Sequence, residues 1–113
     1  MAQNRKRLID LFIGNISNSV MHKILEKATE DKELAGRYNK ELSTSLEIAK
    51  KYREKINPVN ASLPDKDIEY IKSRITNKVK NELMQRISKG YENIDLDLVE
   101  GLVNDALKDT KVV

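Results

Sequence analysis

Apolar residues recur every three or four positions over the first quarter of the chain, and this spacing constrains the fold more than any other feature of the sequence. The stripe consists of Ile9, Ile13, Ile16, Val20 and Ile24. At 3.6 residues per turn these side chains fall within about 100° of arc on an α-helix. Leu8 and Leu11 lie outside that arc. We therefore predict a helix over residues 4–28 that either is central to a bundle or meets a second chain.

A second helix is predicted over residues 31–56, because apolar residues repeat there every seven positions. The repeat consists of Ala35, Leu42, Ala49 and Ile56, with Tyr38, Ser45 and Tyr52 placed three residues after the first three. Small residues on such a seam permit another helix to approach closely. Asn57-Pro58 ends the helix, because a residue before proline is pushed out of helical geometry.

Residues 58–63 form the one clear linker, and a third helix is predicted after it over 64–89. Ser62 is the expected N-cap, and Gly90 is the expected C-terminal stop. The apolar stripe of this helix consists of Ile68, Ile71, Ile75, Val79, Leu83 and Ile87.

A short fourth helix is expected after Asp95, its N-cap, and should fray from Asp109. Its inward residues would be Val99, Leu102, Val103, Ala106 and Leu107. The length of 113 residues suits one domain with a real core. The sequence therefore predicts an all-α, single-domain bundle of about four helices, three long and one short, with helical hairpins over 4–57 and 64–109.

Composition excludes several classes of protein. The chain has no cysteine, which rules out a disulfide framework and thiolate chemistry and favours a reducing, intracellular setting. No apolar run approaches the roughly 20 residues that span a bilayer. Basic residues precede apolar ones at the N-terminus, but Asp10 interrupts the run and no cleavage site of small residues follows. We expect a cytoplasmic protein with no membrane contact.

One histidine is the only candidate for metal or proton-transfer chemistry. His22 stands four residues before Glu26, one helical turn away. A metal or acid–base site needs at least a third partner, and the chain has no second histidine. We interpret these two residues as a surface pair, and we predict no catalytic residue, no metal and no cofactor.

The stretch from Phe12 to Leu25 combines helical apolar spacing with weak helix formers. Gly14 and Ser17 would let a neighbouring backbone approach, and Asn18 could hydrogen-bond across the contact. These features favour a non-enzymatic protein-interaction module that forms a homodimer and binds an unidentified protein. The predicted contact residues are Leu8, Leu11, Phe12, Gly14, Asn18, Met21, Leu25, Tyr38, Ser45 and Tyr52.

Nucleic-acid binding is the alternative prediction, because the third helix has a basic outward face. Lysine and arginine spaced one turn apart could follow phosphates and release counterions. The candidate residues are Arg5, Lys6 and Arg7 near the N-terminus, and Arg74, Lys78, Gln85 and Lys89 on the third helix, where Asn81 shares their face. No aromatic residue interleaves to stack on bases, and such a charge run is more often a solvated face.

Overall fold

The computed structural model describes residues 2–58 and 61–113, and within these ranges the chain is helical and contains no strand. The helices are α1 (Ala2–Ala28), α2 (Lys32–Ile56), α3 (Asp65–Ser88) and α4 (Val99–Asp109), with a 3₁₀ turn at Leu96–Leu98 before α4. The all-α prediction of three long helices and one short one is confirmed. Residues 59–60 of the predicted linker lie outside the described ranges.

Helix α1 is the central element, since it packs against α2, α3 and α4. Phe12 and Ile16 are completely buried. Helix α2 runs antiparallel to α1, as the contact between Asn18 and Ser45 shows. Helix α3 runs parallel to α1, because Asp67 pairs with Arg5 near the start of both helices and Val79 lies beside Gly14 and Met21 further along. Packing against these three helices therefore buries the apolar stripe of α1, and no second chain is needed to cover it.

Helices α2 and α3 lie on different sides of α1 and make little contact with each other. The apolar stripe of α3 faces α1 and α4, and the four residues Ile71, Ile75, Val79 and Leu83 are each at most 1% exposed. Ile87 was assigned to the same stripe but is 40% exposed, because each four-residue step advances 40° around the helix and carries Ile87 about 80° away from Val79. Because α2 and α3 make little contact with each other, a strip of α1 between them is left uncovered.

The two ends of α3 differ in how well the sequence predicts them. Ser62 is exposed and does not cap the helix, so that prediction was wrong: α3 begins instead after Pro64, whose carbonyl accepts from the N–H of Asp67 at 2.9 Å. Burial of Leu63 fixes the chain there and takes Ser62 out of capping position. Gly90 does stop the helix. Its φ is +101°, and the N–H of the next residue closes the last turn in a Schellman motif.

The C-terminal tail is packed, and the prediction that it frays was wrong. Thr110 and Val112 are 2% and 4% exposed. The Thr110 hydroxyl donates to the carbonyl of Ala106 at 2.8 Å, and the N–H of Val112 donates to the carbonyl of Leu107 at 2.9 Å. The Lys111 carbonyl accepts from a guanidinium of α2, a partner that the local sequence does not reveal.

Candidate interaction surface

The polar stretch of α1 borders a cleft of about 300 Å³ between α1 and α3. Its lining residues are Gly14, Asn15, Ser17, Asn18 and Met21 of α1, and Lys78, Val79 and Glu82 of α3. A Cβ atom placed on Gly14 would meet nothing within 4 Å. The glycine therefore does not serve a close approach inside the chain. It leaves space beside the cleft between α1 and α3.

Five residues define what we call the open face of α1: Arg7, Asp10, Leu11, Gly14 and Asn18. At 100° per residue they share an arc of about 100°. Arg7 and Asp10 are exposed, and the other three are half-buried. Helices α2 and α3 flank this face, and it ends at Asn18, because Met21 and Leu25 fall within the same arc but are buried.

Ser17 lies beneath the open face and has an unsatisfied hydroxyl. The residue is 3% exposed, and its Oγ has no hydrogen-bond partner among the described residues. The neighbouring Asn18 donates from Nδ2 to Oγ of Ser45 at 2.7 Å. The predicted hydrogen bond of Asn18 thus forms, but with α2 of the same chain rather than with a partner.

His22 belongs to a buried polar cluster between α1 and α2, and its assignment to the surface was wrong. The residue is 8% exposed, and its partner is Glu41 rather than Glu26. Nε2 lies 2.6 Å from Oε2 of Glu41, and Nδ1 lies 2.8 Å from the carbonyl of Asn18. The ring centroid is 5.6 Å from that of Tyr38. Both ring nitrogens thus face oxygen atoms, and the contact with Glu41 fastens α2 to α1.

The predicted contact residues divide into two groups. Phe12, Met21, Leu25 and Ser45 are buried inside the chain, with exposures from 0% to 7%. They are therefore reassigned from the partner contact to the interior. Leu8, Leu11, Gly14, Asn18, Tyr38 and Tyr52 are half-buried and keep surface that a partner could cover.

Two clefts near opposite ends of α1 carry opposite charge. Near the start of α1, Lys6, Arg7, Asp10 and Leu11 line a cleft of about 420 Å³. At the far end a cleft of about 430 Å³ lies between the end of α1, the start of α2 and the loop after α3. Its only charged lining residues are Glu30 and Glu92, both exposed. The cleft near the start of α1 thus has more basic than acidic lining residues, and the cleft at the far end is acidic.

The basic face of α3 is exposed as predicted. All five residues on it, Arg74, Lys78, Asn81, Gln85 and Lys89, are solvent-accessible. Within the described part of the chain no carboxylate forms an ion pair with Arg74 or Lys78. Yet Asp10 and Glu82 line the same cleft of about 510 Å³ as these two cations. Arg5 is paired with Asp67, whereas Lys6 and Arg7 are exposed.

Two features of the surface and interior were not predicted from the sequence. Arg53 is 1% exposed, and its only cue is its place on the apolar side of α2, four residues after Ala49. Met84 and Tyr91, with exposures of 56% and 45%, form with Ile87 an exposed apolar patch at the end of α3. Met84 and Ile87 lie on α3 and Tyr91 follows its end, and the sequence alone does not tell that these side chains stay exposed.

Comparisons with known proteins add no relative. No family model, no curated protein and no solved structure matches the chain. Within residues 2–58 and 61–113 no three side chains of His, Cys, Asp or Glu are grouped to hold a metal ion. None of the helices in these ranges combines the length and apolarity that crossing a membrane requires.

Proposed function

We propose that this chain is a non-enzymatic, cytoplasmic helical module that acts by protein–protein contact and self-associates through the open face of α1. The observation that carries the proposal is the incompletely covered face of α1 from Arg7 to Asn18, on which Gly14 lies. A helix that is covered on its other sides by α2, α3 and α4 has one uncovered face, and that face holds a glycine with nothing within 4 Å of its would-be Cβ.

The accessible surface supports an unfilled contact. The chain exposes 7343 Å², whereas a compact monomer of 13.0 kDa exposes about 6,300 Å². The difference is about 1,000 Å². A stable interface buries about 800 Å² on each partner. The elongated shape of the chain, 43 × 23 × 22 Å, accounts for part of this excess, and the accessible area leaves room for one such contact.

Sedimentation equilibrium with two matched glycine variants tests the proposal. Gly14→Trp fills the open face, and Gly36→Trp places the same side chain on α2, where a Cβ atom also meets nothing within 4 Å. We expect the wild type and Gly36→Trp to be dimers at micromolar concentration and Gly14→Trp to be a monomer. Leu11→Asp should also give a monomer. A monomeric wild type up to about 100 μM would refute self-association, and a dimeric Gly14→Trp would refute the location.

Nucleic-acid binding by α3 is the second candidate, favoured by the unpaired state of Arg74 and Lys78 among the described residues. It ranks lower because Asp10 and Glu82 share their cleft and would repel phosphate. Fluorescence anisotropy with labelled DNA and RNA oligonucleotides tests it. The double variant Arg74→Glu/Lys78→Glu should abolish salt-sensitive binding, whereas Lys51→Glu/Lys55→Glu on α2 should not. Equal binding by both variants would exclude the α3 face.

A further inference from the structure

We infer that the acidic cleft at the far end of α1 binds an arginine side chain that a segment of a partner protein presents. This cleft of about 430 Å³ is formed by the end of α1, the start of α2 and the loop after α3. Small-molecule pockets in proteins have volumes of about 300–1,000 Å³. The cleft begins at Leu25, about two helical turns beyond Asn18, where the open face ends. It is therefore a separate surface, and the inference does not depend on self-association.

The floor and walls of the acidic cleft suit the aliphatic stem of an arginine. Leu25 is 2% exposed and Ile94 packs against the core, so both form a fixed apolar floor. Leu34 and Tyr38 of α2 and Tyr91 of the loop also line the cleft, and each keeps accessible surface. An arginine can bury its methylene groups on such a surface while its charged head reaches polar groups at the edge.

The charge of the cleft selects a cation. Glu30 and Glu92 are its only charged lining residues, and both are exposed. Among the described residues neither carboxylate forms an ion pair. A guanidinium can donate two parallel N–H groups to one carboxylate, which an ammonium cannot do. The chain has a net charge of +3, but the Debye length in physiological salt is about 8 Å, so the nearby carboxylates act on a ligand more strongly than distant cations do.

The tyrosine rings of this chain show where a guanidinium would stack. Three of the four rings have a basic side chain of the same chain within about 6 Å, the range of a cation–π contact. The pairs are Lys55 with Tyr52 at 5.7 Å, Arg74 with Tyr70 at 5.9 Å, and Arg86 with Tyr91 at 5.4 Å. In the described ranges no lysine or arginine packs on Tyr38, whose ring lies 5.6 Å from that of His22. Tyr38 is therefore the ring on which a guanidinium from a partner would stack.

The loop that carries Glu92 has a defined turn. Asn93 has a φ of +65°, in the left-handed region that asparagine adopts more readily than most residues. Its two neighbours in the sequence, Glu92 and Ile94, both line the cleft. The cleft is thus formed before a ligand arrives, and binding does not have to order this loop.

An NMR titration with a matched pair of peptides tests the inference. One pentapeptide is acetyl-Gly-Ala-Arg-Ala-Gly-amide, and in the other citrulline replaces the arginine, which keeps the shape and removes the charge. We expect the arginine peptide to shift the amides of Glu30, Leu34 and Glu92 and to bind at least about tenfold more tightly than the citrulline peptide. The amides of Gly14 and Asn18 on the open face should not shift. Equal binding of the two peptides, or no shift up to about 10 mM peptide, would overturn the inference.

Variants of the cleft locate the site. Glu30→Gln/Glu92→Gln should weaken binding of the arginine peptide by at least about tenfold. The control Glu54→Gln/Glu69→Gln removes two exposed carboxylates near the end of α2 and the start of α3, away from the cleft, and should not weaken it. Tyr38→Leu should weaken binding by about threefold, whereas Tyr38→Phe keeps the ring and should bind as the wild type does. Equal effects of the two glutamine variants would place the peptide elsewhere.

The same titration identifies two other occupants. If n-butylguanidine alone binds as tightly as the peptide, the ligand is a free small cation; if the cleft amides shift when the protein is concentrated without peptide, the occupant is a second copy. Either result would overturn the partner segment. Sedimentation equilibrium tests the open face separately. A monomeric wild type would refute self-association and leave the arginine site in place, and a failed titration would do the reverse.

Discussion

Arg53 on α2 joins the C-terminal tail to the rest of the fold, and its replacement gives the most quantitative prediction. The side chain is 1% exposed. Nε and Nη2 donate to the carbonyl of Lys111 at 3.3 and 2.9 Å, and Nη1 donates to Oδ1 of Asn57 at 2.5 Å. No carboxylate in the described ranges pairs with it. Carbonyl oxygens alone therefore balance a buried positive charge.

Arg53→Met keeps much of the buried volume and removes every donor. The Lys111 carbonyl and the Asn57 side chain then lose their partners, at a cost of about 1–3 kcal/mol each. Part of this cost is offset, because the variant no longer buries a charge. We expect a net loss of about 3 kcal/mol in the free energy of unfolding. For a domain of this size that corresponds to a fall in Tm of about 12 °C.

Thermal unfolding followed by circular dichroism measures the loss, and hydrogen exchange locates it. The amide of Val112, which donates to the carbonyl of Leu107, should lose protection before the amides of α1 do. Lys51→Met, at an exposed position of the same helix, should change stability by no more than about 0.5 kcal/mol. If Arg53→Met melts at or above the wild-type temperature, the carbonyl contacts do not stabilise the tail and the reasoning is refuted.

The pH dependence of Arg53 follows from its burial. Desolvation by burial lowers the pKa of Arg53 from its ordinary value. The folded state therefore releases this proton at a lower pH than the unfolded state does, so the cost of the buried charge is fully present at acidic and neutral pH and decreases only in strongly alkaline solution. Between about pH 5 and 8 the contribution of Arg53 to stability should be constant. A titration of Tm in wild type and Arg53→Met should give parallel curves over that range.

Three further substitutions test local features by thermal unfolding. Ser17→Ala should raise stability by about 1 kcal/mol, because it removes a buried hydroxyl without a partner; a loss would show that the hydroxyl is hydrogen-bonded. Gly90→Ala should lower the free energy of unfolding by about 1–2 kcal/mol, because a φ of +101° strains the backbone of any L residue. The control Gly101→Ala, inside α4, should not lower it. Val112→Ala should cost about 1.5 kcal/mol if the tail is packed, and an unchanged Tm would show that it is not.

The sequence predicts the long helices well because their apolar periodicity is local. The stripe of α1 and the inner face of α3 need only the 3.6-residue repeat, and both are buried as expected. The start of α3 was placed at the wrong cap because burial of Leu63 is a tertiary effect. The prediction that the tail frays was wrong because it also missed a tertiary contact. Arg53 donates to the carbonyl of Lys111, 58 residues away, and no local pattern encodes that hydrogen bond.

The candidate site was predicted in part. Gly14 and Asn18 were assigned to a helix contact from their size and polarity, and both do lie on the open face. His22 was misplaced because its partner, Glu41, belongs to α2. An isolated polar residue on one helix gives no indication of what the facing helix supplies. For the same reason the sequence did not predict the acidic cleft at the end of α1. Glu30 and Glu92 come together only when the loop after α3 folds back beside α1.

The open face follows from the unequal lengths of the four helices. At a rise of 1.5 Å per residue, the 27 residues of α1 extend about 40 Å and the 11 residues of α4 only about 16 Å. Helix α4 is too short to cover a whole side of α1, and α2 and α3 occupy two others. On the remaining face the sequence changes from branched apolar residues to glycine, asparagine and charged residues. A partner bound there must be recognised by shape and charge rather than by apolar burial.

Recognition by shape and charge predicts a dimer that weakens as salt is added. Raising NaCl from about 0.05 M to about 0.5 M shortens the Debye length by roughly threefold and screens the charged residues of the open face. The dissociation constant should therefore increase by at least about tenfold in sedimentation experiments. A dimer that tightens with salt would instead be apolar, and the exposed patch of Met84, Ile87 and Tyr91 would be its place. That result would move the contact from α1 to the end of α3.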